Sequence, residues 1–382
     1  MPVANASVVG FLSLENAQCT WCERMPGGRL YDELCPFKLK RHVGIVLSCD
    51  DVEQRHTGFA SAYFNEDTGE TFLFFSDAPL DWRMSCVSVA VSGDGISFKL
   101  LEEGRSLVRF GQKSMGPAVF RAEGKFFMAF AFEEHPAHER GIALARADDL
   151  LGPYEVLGVL ARPRYLWEGT AIDIGPSVAG VSEREFLIFY SNVLMLWRYL
   201  YAPLRDKGPA SSHGPPKHRS FKALLHSVIL DRRRLGILRL RITRTGHVLA
   251  ARYEHNPLDH LNGRLGSWCE SLFCPGYMRL NGQHVLLPTA AIYSKGPPFR
   301  HFIGVFMSSS PFFEKAVEKY VLIDGLLEKE QIAPRIRGGL LLDTASPVMK
   351  GDELWLYYAV SGERDRTWRT ALSIFSLPEE TT

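Results

Sequence analysis

A pattern repeated five times constrains this chain more than any other feature. A strand of small residues leads, through a polar turn, into an aromatic-rich strand. A third strand of mixed small and apolar residues follows. The copies open with GFASAYF (58–64), GPAVFRA (116–122), DIGPSVAG (173–180), ESLFCPGYMRL (270–280) and DTASPVMK (343–350). Their aromatic strands are TFLFFSDA (71–78), FFMAFAFEE (126–134), FLIFYSN (186–192), HVLLPTAAIY (284–293) and LWLYYAVSG (354–362). The third strands begin near 85, 140, 197, 301 and 368, the third of them reading WRYLYAPLRD (197–206). β-Branched and aromatic enrichment between Gly, Asn, Asp and Glu turns supports each strand.

Such a unit cannot bury both its faces alone, so consecutive copies must pack against each other. Small residues suit strands that line a narrow axis, and near-continuous apolar runs suit strands buried between neighbours. The sequence therefore predicts an all-β, five-bladed β-propeller formed as one domain over residues 1–382, with blades near 45–105, 110–160, 170–255, 265–325 and 335–380. A β-sandwich would also space strands this way, but it does not require the ordered repetition. A length of 382 residues does not demand two domains, because each blade adds its own core. Residues 207–265 form a long interval in which KGPASSHGPPKHR reads as a loop and LGILRLRITRTGHVLAARYEHN alternates like a hairpin. That hairpin is expected to complete blade three, with an insertion near the pocket.

Charge says little for a polyanionic or membrane partner: 44 basic and 43 acidic residues nearly cancel. The run Arg232-Arg233-Arg234 reads as a solvated turn. The start lacks a basic, apolar leader, and no apolar run of about 18 residues occurs. Seven irregularly spaced cysteines suit reduced thiols. A cytoplasmic protein with a small-molecule partner, and with no nucleic acid or membrane partner, is expected. Neither a P-loop nor a dinucleotide fingerprint occurs, so no cofactor is expected. A zinc site built from Cys19, Cys22, Cys35 and His42, or a metal on His135 and His138, is the weaker reading beside plain thiols and loop residues.

The segments RGIALARADDLLGPYEVLG and SVAVSGDGISFKLLEEG resemble the blade-closing segments of five-bladed glycoside hydrolases. These include arabinanases and β-xylosidases, fructosidases and mannoside phosphorylases. The resemblance spans about residues 45–380 and implies acidic residues at the starts of innermost strands, converging on the axis. Asp173, Glu270 and Asp343 hold such places in blades three, four and five. Glycosidic cleavage needs one carboxylic acid to protonate the leaving oxygen and a carboxylate to activate water or attack the sugar. The resemblance makes Glu270 the general acid and Asp173 its pKa modulator and orienter, with Asp343 as base or hydroxyl binder. Each is also a plausible turn former.

The first blade departs from that pattern. It carries Gly58-Phe59-Ala60-Ser61 where the family places an essential Asp. His56 is the nearest candidate base there, and equally a hydroxyl ligand or turn residue. Trp82, Trp167, Trp268 and Tyr293, with Trp197 and Trp368, are candidate aromatic contacts for substrate, or else core. Arg121 and Arg337, with Arg335, are candidate anion contacts. Three functions follow: a hydrolase or phosphorylase acting on a small glycoside; an enzyme of the same fold turned to cyclisation, elimination or rearrangement of a specialised metabolite; or a non-catalytic binding propeller.

Overall fold

The computed structural model describes residues 35–48, 55–101, 106–134, 139–169, 171–193, 232–293, 299–314, 317–363 and 367–378. Strand β1 (Lys38–Leu47) precedes blade one, which holds β2 (Arg55–His56), β3 (Ser61–Phe64), β4 (Thr71–Pro79), β5 (Cys86–Ser92) and β6 (Lys99–Leu100). Blade two holds β7 (Lys113–Ala122), β8 (Lys125–Glu134), β9 (Glu139–Ala147) and β10 (Glu155–Ala161). Blade three holds β11 (Ala171–Gly180), β12 (Glu185–Val193), β13 (Leu235–Ile242) and β14 (Val248–Arg252). Blade four holds β15 (Ser271–Leu280), β16 (Gln283–Ile292), β17 (Arg300–Ser308) and β18 (Glu318–Asp324). Blade five holds β19 (Leu340–Lys350), β20 (Glu353–Gly362) and β21 (Arg369–Ser376).

Within each blade the strands pair antiparallel in chain order. Blades two and three share one sheet only because Arg140 of β9 pairs in parallel with Ala171 of β11. Five apolar clusters lie between consecutive blades, and the last packs blade five against blade one. The inner strands β3, β7, β11, β15 and β19 each touch the next, and β19 touches β3, so the ring closes. Five blades about one axis result.

The hairpin turns are written in the sequence. Glu123-Gly124 and Asn281-Gly282 put both central residues at positive φ, the turn whose twist matches paired strands. The hairpin of 235–252 supplies the two outer strands of blade three. Two assignments differ from expectation. The third strand of blade three is β13, whereas 197–206 lies outside the described residues. Strand β1 pairs with β21 and completes blade five rather than opening blade one. An N-terminal strand on the last blade ties the two ends of the ring together, which no local pattern announces.

All five inner strands break at the same place. In β7, β15 and β19 two residues oppose one across the hairpin, and in β11 three oppose one. Blade one splits into β2 and β3 there. Phe59, Gly116, Cys274 and Thr344 take positive φ at this kink. The kinked backbones touch across the axis: a Cβ on Gly175 would stand 2.1 Å from the Pro275 carbonyl oxygen, and one on Gly276 would stand 2.0 Å from that of Ala345. Ser61 Oγ donates to the Pro176 carbonyl at 2.8 Å. The inner strands are thus in direct contact at the kink, and kink residues also line a pocket.

Candidate functional site

The pocket has a volume of about 320 Å³. Its kink-side lining includes Phe59, Gly116, Cys274 and Thr344, with Asp343 and Ile174 immediately before their kinks. A second set comes from where the third strands begin. Arg140 is in β9, Arg233 precedes β13 and Trp368 precedes β21. These starts bond to the next inner strand: Leu272 N–H donates to the Arg233 carbonyl at 3.0 Å, and Thr57 N–H to the Trp368 carbonyl at 3.0 Å. The joint between blades therefore aims a third-strand side chain at the axis.

Asp173 is clamped. Arg140 Nη1 donates to both of its oxygens, at 2.8 and 2.9 Å. Arg140 Nη2 donates to Glu133 at 3.1 Å, and Lys113 Nζ donates to the other Glu133 oxygen at 3.0 Å. Glu133 has no exposed surface, and Arg140 and Lys113 are nearly buried. Two cations and two carboxylates form one charge-balanced network, as burial requires.

Asp343 sits in a different environment. Its Oδ1 accepts from Thr344 N–H at 2.7 Å and from Thr344 Oγ1 at 3.1 Å. Burial pushes its pKa up to about 6, and the Asp173 charge adds to this against Arg233, Thr344 and Cys274. Cys274 lies within reach of both carboxylates. Burial, then Asp343 and Asp173, hold its thiol well above the usual range, which suits a thiol that donates to Asp343.

Of the residues expected at the site, Asp173, Asp343, Trp82 and Trp368 line the pocket. Glu270 does not. Its carboxylate is fully buried and accepts Gly266 N–H at 2.6 Å and Tyr293 N–H at 3.2 Å, fastening the loop before β15. Glu270 precedes the residue before the kink, Phe273, by three positions, whereas Asp343 is itself that residue. His56 is also off the lining. Its Nδ1 accepts the Trp368 N–H at 3.1 Å, so Nε2 carries the proton and donates to the Leu80 carbonyl at 3.2 Å. Both ring nitrogens thus bond the backbone.

Trp167 and Trp268 are packing residues. Trp167 stacks on Tyr190 over Gly236 and donates to the Glu254 carbonyl at 3.1 Å. Trp268 fills the space over Gly304 between Phe302 and Phe306. Tyr293 packs on Phe299 and His301 behind the pocket. Arg121 is exposed beside Phe126, and Arg335 and Arg337 are exposed. The three consecutive arginines divide their work: Arg232 donates to the Glu270 and Gly263 carbonyls, Arg234 pairs with Asp259, and Arg233 lines the pocket over Phe273. Reading the run as one solvated turn hides Arg233.

Among the described residues no group of three or more His, Cys, Asp or Glu is placed to hold a metal ion. Cys19, Cys22, His135, His138 and Trp197 lie outside them. His42 bonds Ser373 Oγ at 2.8 Å and faces Glu328 at 3.0 Å. No described helix is long and apolar enough to cross a membrane.

No protein-family model matches the chain. Neither does any curated protein. Solved structures do match. The chain is similar to a glycoside hydrolase at 10% identity and a TM-score of 0.59, over 94% of this chain and 96% of that one. A β-1,2-mannobiose phosphorylase from Listeria innocua matches at 13% identity and 0.54, over 88% and 95%. An endo-arabinase from Bacteroides thetaiotaomicron matches at 14% identity and 0.51, over 86% and 96%. The chain therefore shares the fold of these proteins. At these identities the likeness extends to architecture alone.

Proposed function

We propose that the protein is a glycosidase-like enzyme that performs acid–base chemistry on a small hydroxylated molecule in the axial pocket. One observation carries the reading: two carboxylates share the pocket in opposed environments. Asp343 is desolvated and holds its proton toward pH 6, while Asp173 is ion-paired to Arg140. A desolvated carboxyl beside an ion-paired one supplies a proton donor and a charged partner. Asp343 gives its proton to the departing oxygen as the C–O bond breaks. Asp173 faces the positive charge that develops on carbon. The Asp343 carboxylate then takes a proton from the incoming water; where phosphate is the acceptor, Asp343 recovers its proton from the hydrogen phosphate or from solvent.

The test is turnover of nitrophenyl glycosides and oligosaccharides, with and without inorganic phosphate. A substrate turned over by the native protein should lose at least a hundredfold in rate with Asp343→Asn, within the range for general acid catalysis. Undiminished turnover in that variant removes Asp343 as the acid.

A second reading keeps the acid and changes the substrate. Blade one offers Gly58 and Phe59 where the related enzymes are expected to hold a carboxylate, and Phe59, Trp82 and Trp368 wall that side. An acid opposite an apolar wall suits cyclisation, elimination or rearrangement. Conversion of a non-glycosidic metabolite, with every glycoside left intact, would favour it.

A further inference from the structure

We infer that Phe59, Trp82 and Trp368 form an apolar subsite that takes an uncharged aromatic or aliphatic part of the substrate. This deepens the reading of the pocket as a substrate site and rests on it, but it uses none of the proposed acid–base groups.

Placement is the first support. The charged side chains of the pocket all come from blades two, three and five, whereas blade one contributes Phe59 and Trp82. The pocket is thus polar on one side and aromatic on the other. The rings do not form a flat platform. Phe59 stands 4.8 Å from Trp368 at 48° and 6.0 Å from Trp82 at 65°. Inclined rings make a corner that can grip a group on more than one face.

Backbone strain is the second support. Phe59 at φ 57° and Trp82 at φ 54° are bulky residues in the left-handed region. Such conformations cost about 1–3 kcal/mol each and persist where the surroundings enforce them. Of eight left-handed non-glycine residues among those described, Phe59, Trp82, Cys274 and Thr344 line this one pocket. His56 is the enforcing element for the corner. It stacks on Trp82 at 4.3 Å, accepts from the Trp368 backbone and donates to Leu80. A buried, fully engaged imidazole thus fixes two walls of the corner at once.

Polarity decides what the corner holds. Three aromatic rings also suit a cation. However, Lys113, Arg140 and Arg233 share the pocket with Asp173 and Asp343, and Lys113 and Arg140 are paired with Glu133 and Asp173. With Glu133 counted, three cations face three carboxylates, so a cationic guest finds no surplus negative charge to bind. Leu80 and Met84, two residues to either side of Trp82, are 47% and 49% exposed. The substrate class is therefore amphiphilic, with a hydroxylated part at Asp343 and an uncharged apolar part against Trp82.

Calorimetric titration with benzyl alcohol, methyl glucoside and phenyltrimethylammonium tests this directly. Benzyl alcohol is expected to bind saturably and better than the other two. Its affinity should fall about tenfold with Trp82→Ala or Trp368→Ala, the scale of one lost aromatic contact. Trp82→Phe should restore it to within about threefold. If the alanine variants do not fold, Trp82→Phe against Trp82→Leu still reads the dependence on a ring. Absence of saturable benzyl alcohol binding, indifference to Trp82 replacement, or preference for phenyltrimethylammonium overturns the subsite. Asp343→Asn separates the two readings. Benzyl alcohol binding that survives in it while turnover persists leaves the subsite standing and removes the acid; lost turnover with no aromatic binding does the reverse.

Discussion

Arg140 binds Asp173 through one guanidinium nitrogen and Glu133 through the other, at the residue that joins blades two and three. The pocket carboxylate and the seam between blades are therefore held by a single side chain. Removing it takes one cation from the fully buried Glu133, leaving Lys113 at its other oxygen, and takes the clamp from Asp173. Arg140→Ala is expected to destabilise the fold by about 3–5 kcal/mol, the cost of breaking a buried pair from one side. The midpoint of urea denaturation measures it. A loss below about 1 kcal/mol would show that the network is no more than a surface pair.

The Asp343 proton gives the native state a pH dependence of known sign. Its folded pKa lies above its ordinary value of 3.8, at about 6. The folded state thus binds more protons across that window. The contribution is full below about pH 4 and is lost as pH rises through 6, on the order of 3 kcal/mol in all. Asp343→Asn keeps the acceptor for Thr344 and removes the charge. It should flatten that part of the stability curve and exceed the native protein in stability above pH 7. Urea midpoints from pH 4 to 8 make the comparison, and parallel curves would contradict it.

Much of this architecture is legible in the order of the residues. Small residues mark the inner strands because five backbones meet at the axis, and Asn281-Gly282 marks its hairpin because both positions need positive φ. Asp343 is legible because it adjoins its kink, and Asp173 because it lies one residue further back. Glu270 misleads because the start of a strand is not the residue beside its kink. Arg140 and Arg233 escape notice because third strands read as buried runs, and nothing local shows that their first residues turn to the axis. Trp167 and Trp268 do carry a usable signal. Gly236 and Gly304 both lie in third strands, where a Cβ would stand 2.5 and 2.6 Å from those indoles. A glycine kept free beneath a tryptophan marks it as core.

The inner-strand contact at the kink tolerates no added atom. A Cβ at Gly175 or Gly276 would overlap a backbone carbonyl rather than a movable side chain. Gly175→Ala and Gly276→Ala are each expected to cost about 3 kcal/mol or more, the upper range for overpacking. Gly180→Ala, on the same strand as Gly175 with open space around it, should be within about 0.5 kcal/mol of native. Thermal unfolding of the three proteins checks this. Equal effects at Gly175 and Gly180 would mean that the inner strands do not meet.

Glu270 distinguishes a catalytic carboxylate from a structural one. It occupies a position that the family resemblance marks for proton donation, yet its oxygens accept backbone N–H groups from the loop before β15 and from the residue after β16. Glu270→Ala leaves those two donors buried and should cost about 2–4 kcal/mol at roughly 1–2 kcal/mol each. Glu270→Gln retains one acceptor oxygen but turns an amide toward the other donor, so it should lose stability while ligand binding at Trp82 stays native. The paired measurement is urea denaturation and benzyl alcohol titration of the same preparation. Native stability with abolished turnover in Glu270→Gln would return the acid role to Glu270. Lost stability with unchanged affinity assigns it to holding the loop that frames blade four.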